Sequence, residues 1–315
     1  MRVLSVALAL TCFVSGAAMA EGDWRTAGRL DAPRSGLSTA VLEGTLYAAG
    51  GSGLTDPRNE FESYDVELDR WFQETPLPRG LERFGMAVIE DRIYIAGGYA
   101  RGELGGVGPS PAMWSWSPAS RVWQSEAAMP APRADLSLVA LSGKLYAIGG
   151  AFDDEALFVF DPESREWESL DAPAGIIRSG ASALALGDEI IIAGGFEGDA
   201  PITRVDIFNA QSGEWREAAS LPEGRAGAAI ALDEDGRVHL FGGRGPGSVT
   251  LDTHVSWQPG EAAWRIEEDL PSPRTNAAAA FLEGAIFVVG GGSGGGFFAP
   301  FTALDTTDVY EPAGD

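Results

Sequence analysis

Six apolar runs, each ending in a pair of glycines, recur along the chain. The first glycines of the pairs stand 47, 52, 45, 48 and 48 residues apart, at Gly50, Gly97, Gly149, Gly194, Gly242 and Gly290. A short polar turn precedes each run and another apolar run precedes the turn, which is the pattern of a β-hairpin. Recurrence at this spacing predicts an array of similar supersecondary units.

A second hairpin is predicted in each unit, after a loop of variable length. It is marked by an aromatic residue with a tryptophan seven positions later, as in Tyr64 and Trp71, Trp116 and Trp123, Phe160 and Trp167, Phe208 and Trp215, and Trp257 and Trp264. Two hairpins give four antiparallel strands, the content of a β-propeller blade. We expect these aromatic side chains, and the tyrosines before the glycine pairs, to be buried.

The sixth unit lacks its tryptophan, because the chain ends soon after Tyr310. Residues 23–27, which include Trp24, have the pattern of a fourth strand without a unit of its own. We expect them to pair with the strand around residues 308–310 and close a ring, which removes exposed strand edges. The prediction is an all-β fold, a single six-bladed propeller over residues 21–315. Its blades are expected at 36–74, 83–125, 133–169, 178–218, 225–267, and 275–312 plus 23–27.

The glycine pairs, the aromatic residue before them and the later tryptophan resemble the kelch repeat, over essentially all of the chain after residue 20. The resemblance implies a kelch-type propeller. In kelch-domain substrate adaptors, arginines at the channel mouth hold acidic peptide motifs, so the resemblance also implies a site competent to bind anions. It does not specify the anion.

The first twenty residues have the features of a secretory signal peptide. An apolar run covers residues 3–14, and an Ala-x-Ala cleavage motif ends at Ala20. The single cysteine, Cys12, lies in this segment, so no disulfide is expected after cleavage. We expect a periplasmic or secreted protein, cleaved after Ala20, of the exported bacterial kelch type.

Charge narrows the possible partners. The formal net charge is -24, and loss of Arg2 with the leader makes the remainder one unit more negative. Nucleic-acid binding depends on basic residues that neutralise phosphates, so this composition argues against it. The apolar run of the leader is shorter than the ~20 residues that cross a bilayer. We expect no nucleic-acid partner and no membrane insertion.

An arginine recurs before most of the glycine pairs, where the innermost strand of each blade should begin. It stands sixteen residues ahead of the first glycine in four units, seventeen in the fifth and fourteen in the second, giving Arg34, Arg133, Arg178, Arg274, Arg225 and Arg83. The residue fourteen positions before the first glycine of a pair should point into the channel. Asp135 and Asn276 occupy this position in two of the other blades. These eight residues are the predicted ligand contacts at one channel mouth, although arginines at the sixteen position are also expected to bond loop carbonyls.

The loops after the glycine pairs should lie on the same face as this mouth. Variable loops on a rigid scaffold are where binding residues concentrate. Tyr99, Phe297 and Phe298 are therefore candidates to stack on a sugar ring or to hold a peptide, with packing back onto the channel mouth as the structural alternative.

Few residues are suited to catalysis or to metal binding. The two histidines, His239 and His254, fall in predicted strands of the fifth blade, and no zinc or calcium ligand spacing is present. We expect no metal and no cofactor.

The leading prediction is therefore a binding module for an acidic sugar or an acidic peptide, and not an enzyme. One enzymatic alternative comes from the resemblance, because exported kelch propellers include sialic acid mutarotases, isomerases of N-acetylneuraminate. It implies Asp135 or Glu82 as the general base, beside Arg83 and Arg133. A protein-protein scaffold without a small-molecule ligand is the remaining alternative.

Overall fold

The computed structural model describes residues 22–54, 56–150, 156–294 and 302–312. Within these ranges the regular elements are β-strands and one 3₁₀ turn, Pro246–Ser248. Six antiparallel four-stranded sheets surround a central channel, so the predicted all-β, six-bladed propeller is confirmed.

The blades are numbered in chain order, with the strands of each given from the channel outward. Blade 1 consists of Ser35–Leu42, Thr45–Ser52, Phe61–Asp65 and Arg70–Gln73. Blade 2 consists of Gly85–Ile89, Arg92–Ala96, Met113–Trp116 and Gln124–Ser125. Blade 3 consists of Leu136–Leu141, Lys144–Gly149, Ala156–Asp161 and Glu166–Asp171. Blade 4 consists of Ser182–Leu186, Glu189–Ala193, Val205–Asn209 and Trp215–Glu217. Blade 5 consists of Ala229–Leu232, Val238–Phe241, His254–Trp257 and Arg265–Ile266. Blade 6 consists of Ala278–Leu282, Ala285–Val289, Thr307–Glu311 and Asp23–Ala27. Two small ribbons pair Tyr99–Arg101 with Val107–Pro109 and Phe196–Glu197 with Ala200–Pro201.

The N-terminal strand closes the ring as predicted. Asp23–Ala27 pairs antiparallel with Thr307–Glu311, and Trp24 stands opposite Tyr310. The inner strand of blade 1 also contacts the inner strands of blades 2 and 6. The first and last parts of the propeller are therefore joined both at the channel and at the outer edge.

The glycine pairs are the points where adjacent blades approach most closely. Both members of every pair have positive φ. A Cβ on Gly149 would lie 2.5 Å from the carbonyl oxygen of Arg178 in the next blade. Between blades 6 and 1, the N–H of Gly291 donates to the carbonyl of Arg34 at 2.9 Å. Glycine is required there both by the backbone conformation and by the space.

Four of the five recurrent tryptophans connect their blade to the one before it. The indole N–H donates to a backbone carbonyl of the preceding blade or its connection at 2.8 to 3.0 Å, in the pairs Trp71 to Gly28, Trp123 to Thr75, Trp167 to Ala127 and Trp264 to Ala219. The predicted core tyrosines Tyr47, Tyr94 and Tyr146 are buried, and so is His239. The repeated aromatic residues are structural.

Gly85 marks the tight contact between the inner strands of blades 2 and 3. A Cβ at this position would collide with the Cβ of Leu138 and lie 2.7 Å from its backbone nitrogen. We expect Gly85→Ala to lower the free energy of unfolding by about 1–3 kcal/mol, because overpacking forces the backbone to shift. Urea denaturation would measure this. Gly106→Ala is the control, since a Cβ there meets nothing within 4 Å; equal effects of the two substitutions would contradict the argument.

Candidate binding face

The propeller has two distinct faces. The starts of the inner strands and the connections after the second strands share one face, here called the loop face. It includes residues 53–54 and 56–60 of blade 1 and residues 97–112 of blade 2. The opposite face, called the turn face, contains the tight turns after the inner strands, such as Glu43-Gly44. The predicted site residues belong to the loop face.

A closed ring of backbone hydrogen bonds surrounds the channel mouth on the loop face. Each blade contributes one residue whose N–H donates to the carbonyl of its counterpart in a neighbouring blade at 2.7 to 3.0 Å, namely Gly36, Arg83, Asp135, Gly180, Gly227 and Asn276. All six have φ between 52° and 70°. Three of them are not glycine, and strained backbone of this kind occurs preferentially at functional sites. The sequence spacing had placed three of them, Arg83, Asp135 and Asn276, at this mouth.

Five of the six predicted arginines do not line this mouth. Arg34, Arg133, Arg225 and Arg274 are at most 1% exposed and Arg178 is 5% exposed, all directed into their own blades. Each donates to the carbonyl of the first glycine of its blade, as Arg34 does to Gly50 at 2.9 Å. The expected ring of six accessible arginines is therefore corrected: these five side chains are internal and are not exposed to a ligand at the mouth.

Buried carboxylates, which were not predicted, explain where three of these arginines point. Arg34 pairs with Glu62, Arg178 with Asp206 at 2.7 Å, and Arg274 with Asp308. Each acid lies on the third strand, two residues before the aromatic residue of the repeat. In blade 3 that position is Phe158, and the Arg133 guanidinium lies 3.7 Å from the centre of its ring. An Asp or Glu two residues before the aromatic residue of the repeat was therefore the sequence feature that indicated a buried arginine in the same blade.

Arg83 differs from the other five because its side chain crosses the mouth. It passes over Gly36, where a Cβ would lie 2.9 Å from Arg83 Cγ, and it remains 32% exposed. Its Nη1 donates to Oδ1 of Asp135 at 3.1 Å, and within the described ranges no acceptor is recorded for its Nη2 or Nε. Burial alone would lower the pKa of Arg83, but the charges of Asp135 and Glu82 outweigh it and raise that pKa. Arg83 is therefore a charged group, and its Nη2 and Nε are the donors for which the described ranges show no acceptor.

Tyr99 and Asn276 complete the polar part of the mouth. Tyr99 is held by backbone hydrogen bonds to Glu82, and burial together with the neighbouring Asp135 raises its pKa to about 12, so it is a neutral phenol at physiological pH. The Asn276 amide lies above Gly227, where a Cβ would be 2.5 Å from its Oδ1. Phe297 and Phe298, the other loop candidates, lie outside the described residues.

Several further side chains on this face were not predicted. The guanidinium of Arg244 lies 5.5 Å from the centre of the Phe196 ring, which covers Gly180 at the mouth, and Arg244 donates to Ser248 at 2.6 Å. Apolar side chains stand out at the loop tips, where Leu54, Leu104 and Val249 are 70%, 103% and 57% exposed. Arg244 directly follows the glycine pair of blade 5, and this position was the sequence feature that could have placed it on the loop face.

Other chemistry has little support in the described ranges. They contain no group of three or more His, Cys, Asp or Glu side chains arranged to hold a metal. Both histidines are buried inside blade 5. No helix among the described residues is long and apolar enough to cross a membrane. Of the two carboxylates predicted as a general base, Asp135 pairs with Arg83 and Glu82 accepts a hydrogen bond from Ser52.

The chain resembles known proteins in both sequence and fold. A profile of the Kelch motif matches residues 33–78 and 177–222. Mouse Kelch-like protein 35 is 26% identical over 231 residues, or 72% of this chain and 38% of that protein. Human Kelch-like protein 23 is 27% identical over 278 residues, or 85% and 46%. The chain therefore spans less than half the length of these relatives.

A solved structure described as "Structure of YjhT" superposes with a TM-score of 0.77, covering 89% of this chain and 95% of that one. At 17% identity this likeness concerns the fold alone. The repeat motif, the kelch-like relatives and the six closed blades lead to one assignment. The Kelch-motif matches and the kelch-like relatives support a kelch-repeat family for this chain.

Proposed function

We propose that this chain is an interaction module that binds an anionic group, from an acidic peptide or an acidic sugar, at Arg83 on the loop face. The observation that supports this is the contrast among the six arginines. Five are buried and bonded internally, whereas Arg83 is exposed at the mouth with two nitrogens that have no recorded acceptor in the described ranges. Arginine presents its donors as a planar fork suited to carboxylates.

The surroundings of Arg83 determine how such a ligand would be held. Asp135 occupies Nη1 and fixes the guanidinium, so the ligand would meet the remaining edge of the fork. Asn276 and the neutral Tyr99 add hydrogen-bonding groups around the mouth. Because the Debye length at physiological salt is ~8 Å, the distant acidic surface hardly weakens this local attraction.

The loop tips favour a protein partner. Leu54, Leu104 and Val249 are exposed on separate loops of the loop face. These tips provide apolar surface around the polar mouth that a protein partner would cover. An acidic peptide segment at Arg83, flanked by contacts with these tips, would use both features.

The test is calorimetric titration of the full chain with acidic peptides, sialic and uronic acids, and neutral counterparts. Charge-assisted hydrogen bonds contribute ~1.5–3 kcal/mol, so we expect Arg83→Ala to weaken anion binding about tenfold or more. Arg58→Ala is a matched control, since Arg58 lies on the same face and pairs with Glu60. Absence of anion binding, or equal affinity of Arg83→Ala and wild type, would refute the proposal.

A second candidate is suggested by the Asp135 carboxylate, which lies 3.1 Å from Arg83 and beside Tyr99. A carboxylate, an arginine and a phenol at one mouth are suited to acid-base work on an acidic sugar. NMR exchange between sialic acid anomers would reveal a mutarotase, and Asp135→Asn should then abolish exchange while sugar binding persists. Exchange at the spontaneous rate would exclude this candidate. Recovery of a protein by the chain, without any small-molecule binding, would favour the scaffold alternative.

The predicted leader would place this module in the periplasm or outside the cell. N-terminal sequencing of the protein from an expressing host tests this, since cleavage after Ala20 leaves Glu21 as the first residue.

A further inference from the structure

The central channel is a cavity of about 450 Å³ that runs along the inner strands. At one end it is lined by the hydrogen-bonded ring of the loop face. Its walls continue to Val41, Leu184, Leu232 and Phe281, which precede the tight turns of the turn face. Ligand cavities commonly have volumes of ~300–1,000 Å³, so the space is sufficient for a small molecule.

Beyond the ring the wall is mainly apolar, although it also includes Thr39, whose buried Oγ1 has no recorded hydrogen-bond partner in the described ranges. Its serines are occupied by neighbouring blades: the hydroxyl of Ser38 donates to Phe84 O at 2.7 Å, and that of Ser182 donates to Ala228 O at 2.7 Å. Ser137 does the same with Ala181 O at 3.2 Å. The charged lining residues, Arg83 and Asp135, are both at the ring. We therefore expect the part of a ligand that enters the channel to be mainly apolar.

The apolar wall is accessible near the turn face. Val41, Leu184, Ile230, Leu232 and Phe281 line the channel and are only half-buried. Covering such side chains is favourable by ~25 cal/mol per Å² of apolar surface. A preformed apolar cavity with accessible walls is suited to an apolar chain.

The turns around this end of the channel are acidic. Glu43, Glu90, Asp188, Asp235 and Glu283 are exposed there, and no ion pair is recorded for any of them within the described ranges. The basic residues beside the turns are already engaged, as Lys144 is with Asp161, Arg92 with Asp91 and Arg237 with Glu261. The rim therefore attracts a cation.

We propose that the channel binds a small cationic amphiphile, with its apolar chain inside the cavity and its positive head at the acidic turns of the turn face. The apolar walls and the acidic rim are separate observations. The walls match the apolar chain of such a molecule, and the rim matches its positive head. This site is distinguished from the anion site by the position of the charged head, which lies at the turn face and not at Arg83 on the loop face.

Calorimetry of the full chain with three ten-carbon probes, below their micelle concentrations, tests the proposal. The probes are decyltrimethylammonium, decyl sulfate and decyl maltoside. In the Arg83→Ala variant, which lacks the proposed anion site of the loop face, we expect the cation to bind at least tenfold more tightly than the anion at 50 mM salt, with a negative heat-capacity change from apolar burial. At 500 mM salt the difference should narrow through screening. No binding, or anion binding as tight as that of the cation, overturns the proposal.

Three variants locate the site. Ile230→Trp narrows the lumen and should weaken all probes at least tenfold; if it does not fold, Ile230→Thr should weaken them several-fold. Glu43→Gln combined with Glu283→Gln should weaken the cation several-fold and leave the maltoside unchanged. Arg83→Ala should weaken anion binding on the loop face about tenfold or more while cation binding at the turn face persists, so the two proposals fail separately. Unaltered cation binding in the Ile230 variants, or in the double glutamine variant, overturns the channel assignment.

Discussion

Replacing Arg34 with leucine is expected to lower the free energy of unfolding by about 3–5 kcal/mol. Arg34 and Glu62 are 0% and 1% exposed, so the substitution leaves an unpaired carboxylate inside blade 1. Burial, the largest influence on each, lowers the pKa of Arg34 and raises that of Glu62, although each charge favours the ionised form of the other. The substitution also removes donors to the carbonyls of Gly50 and Glu60.

Blade 2 shows that this ion pair is dispensable when both partners are absent. It has Leu81, fully buried, in place of the arginine, and Trp114 in place of the acid. We therefore expect Arg34→Leu with Glu62→Leu to cost less than the sum of the single substitutions, with an interaction energy of about 2 kcal/mol. Replacement of a buried ion pair by apolar residues is often close to neutral.

Urea denaturation of the two single variants and the double variant measures this cycle. Glu189→Gln is the matched control, because its pair with Arg216 is exposed and should contribute less than about 1 kcal/mol. Strict additivity in the cycle would contradict the role assigned to the pair, and so would a loss for Arg34→Leu no larger than that of the control.

The blade architecture was predictable because its constraints are local and repeated. Gly149 must be glycine where the next blade approaches, and Trp167 must reach a carbonyl of the preceding blade, so both recur at fixed positions. Strand pairing of Trp24 with Tyr310 followed from counting strands, since an unpaired strand at each end of the chain implies closure.

The direction of the arginine side chains was not predictable from their spacing. Spacing places the Cα of Arg34 and of Arg83 at one mouth, but a two-residue difference along the inner strand sends one side chain into the blade and the other across the channel. Long-range partners decide the outcome: Glu62 lies 28 residues from Arg34 in the chain, and Asp135 lies 52 residues from Arg83. Accessibility is a property of the assembled ring.

Blade 5 is expected to lose stability on mild acidification, because it contains a buried chain of two histidines and an aspartate. His254 donates through Nδ1 to Glu268 O at 3.3 Å, which leaves its Nε2 to accept from His239 Nδ1 at 2.9 Å. His239 then faces the Asp233 carboxylate through Nε2 at 3.1 Å, also as a donor. This order of donors leaves His254 as the neutral ring. Burial, and then the charge on His239, hold the pKa of His254 well below its usual value.

The sign of the effect follows from where the proton binds. Unfolded chains take up a proton on histidine near pH 6.5, whereas folded His254 stays neutral. Acidification below that pH therefore favours the unfolded state, by up to ~1.4 kcal/mol per pH unit, until the folded pKa is reached. The lowered pKa of Asp233 acts in the same direction only as its own carboxyl titrates, near pH 4 and below. Between pH 6.5 and 4.5, the difference in pH dependence of the unfolding free energy that these groups cause therefore comes mainly from His254.

Urea denaturation at half-unit pH steps across this window, in wild type and in His254→Phe, isolates the contribution. The phenyl ring keeps the packing against Phe241 and Tyr310 but cannot titrate. We expect the pH dependence of the variant to be shallower by about 1 kcal/mol per unit. Phe241→Leu, the control, disturbs the same cluster without removing a titrating group and should keep the wild-type slope. Equal slopes for wild type and His254→Phe would show that His254 takes up its proton as readily in the folded chain as in the unfolded one, and would contradict the donor order deduced for the Asp233, His239 and His254 chain.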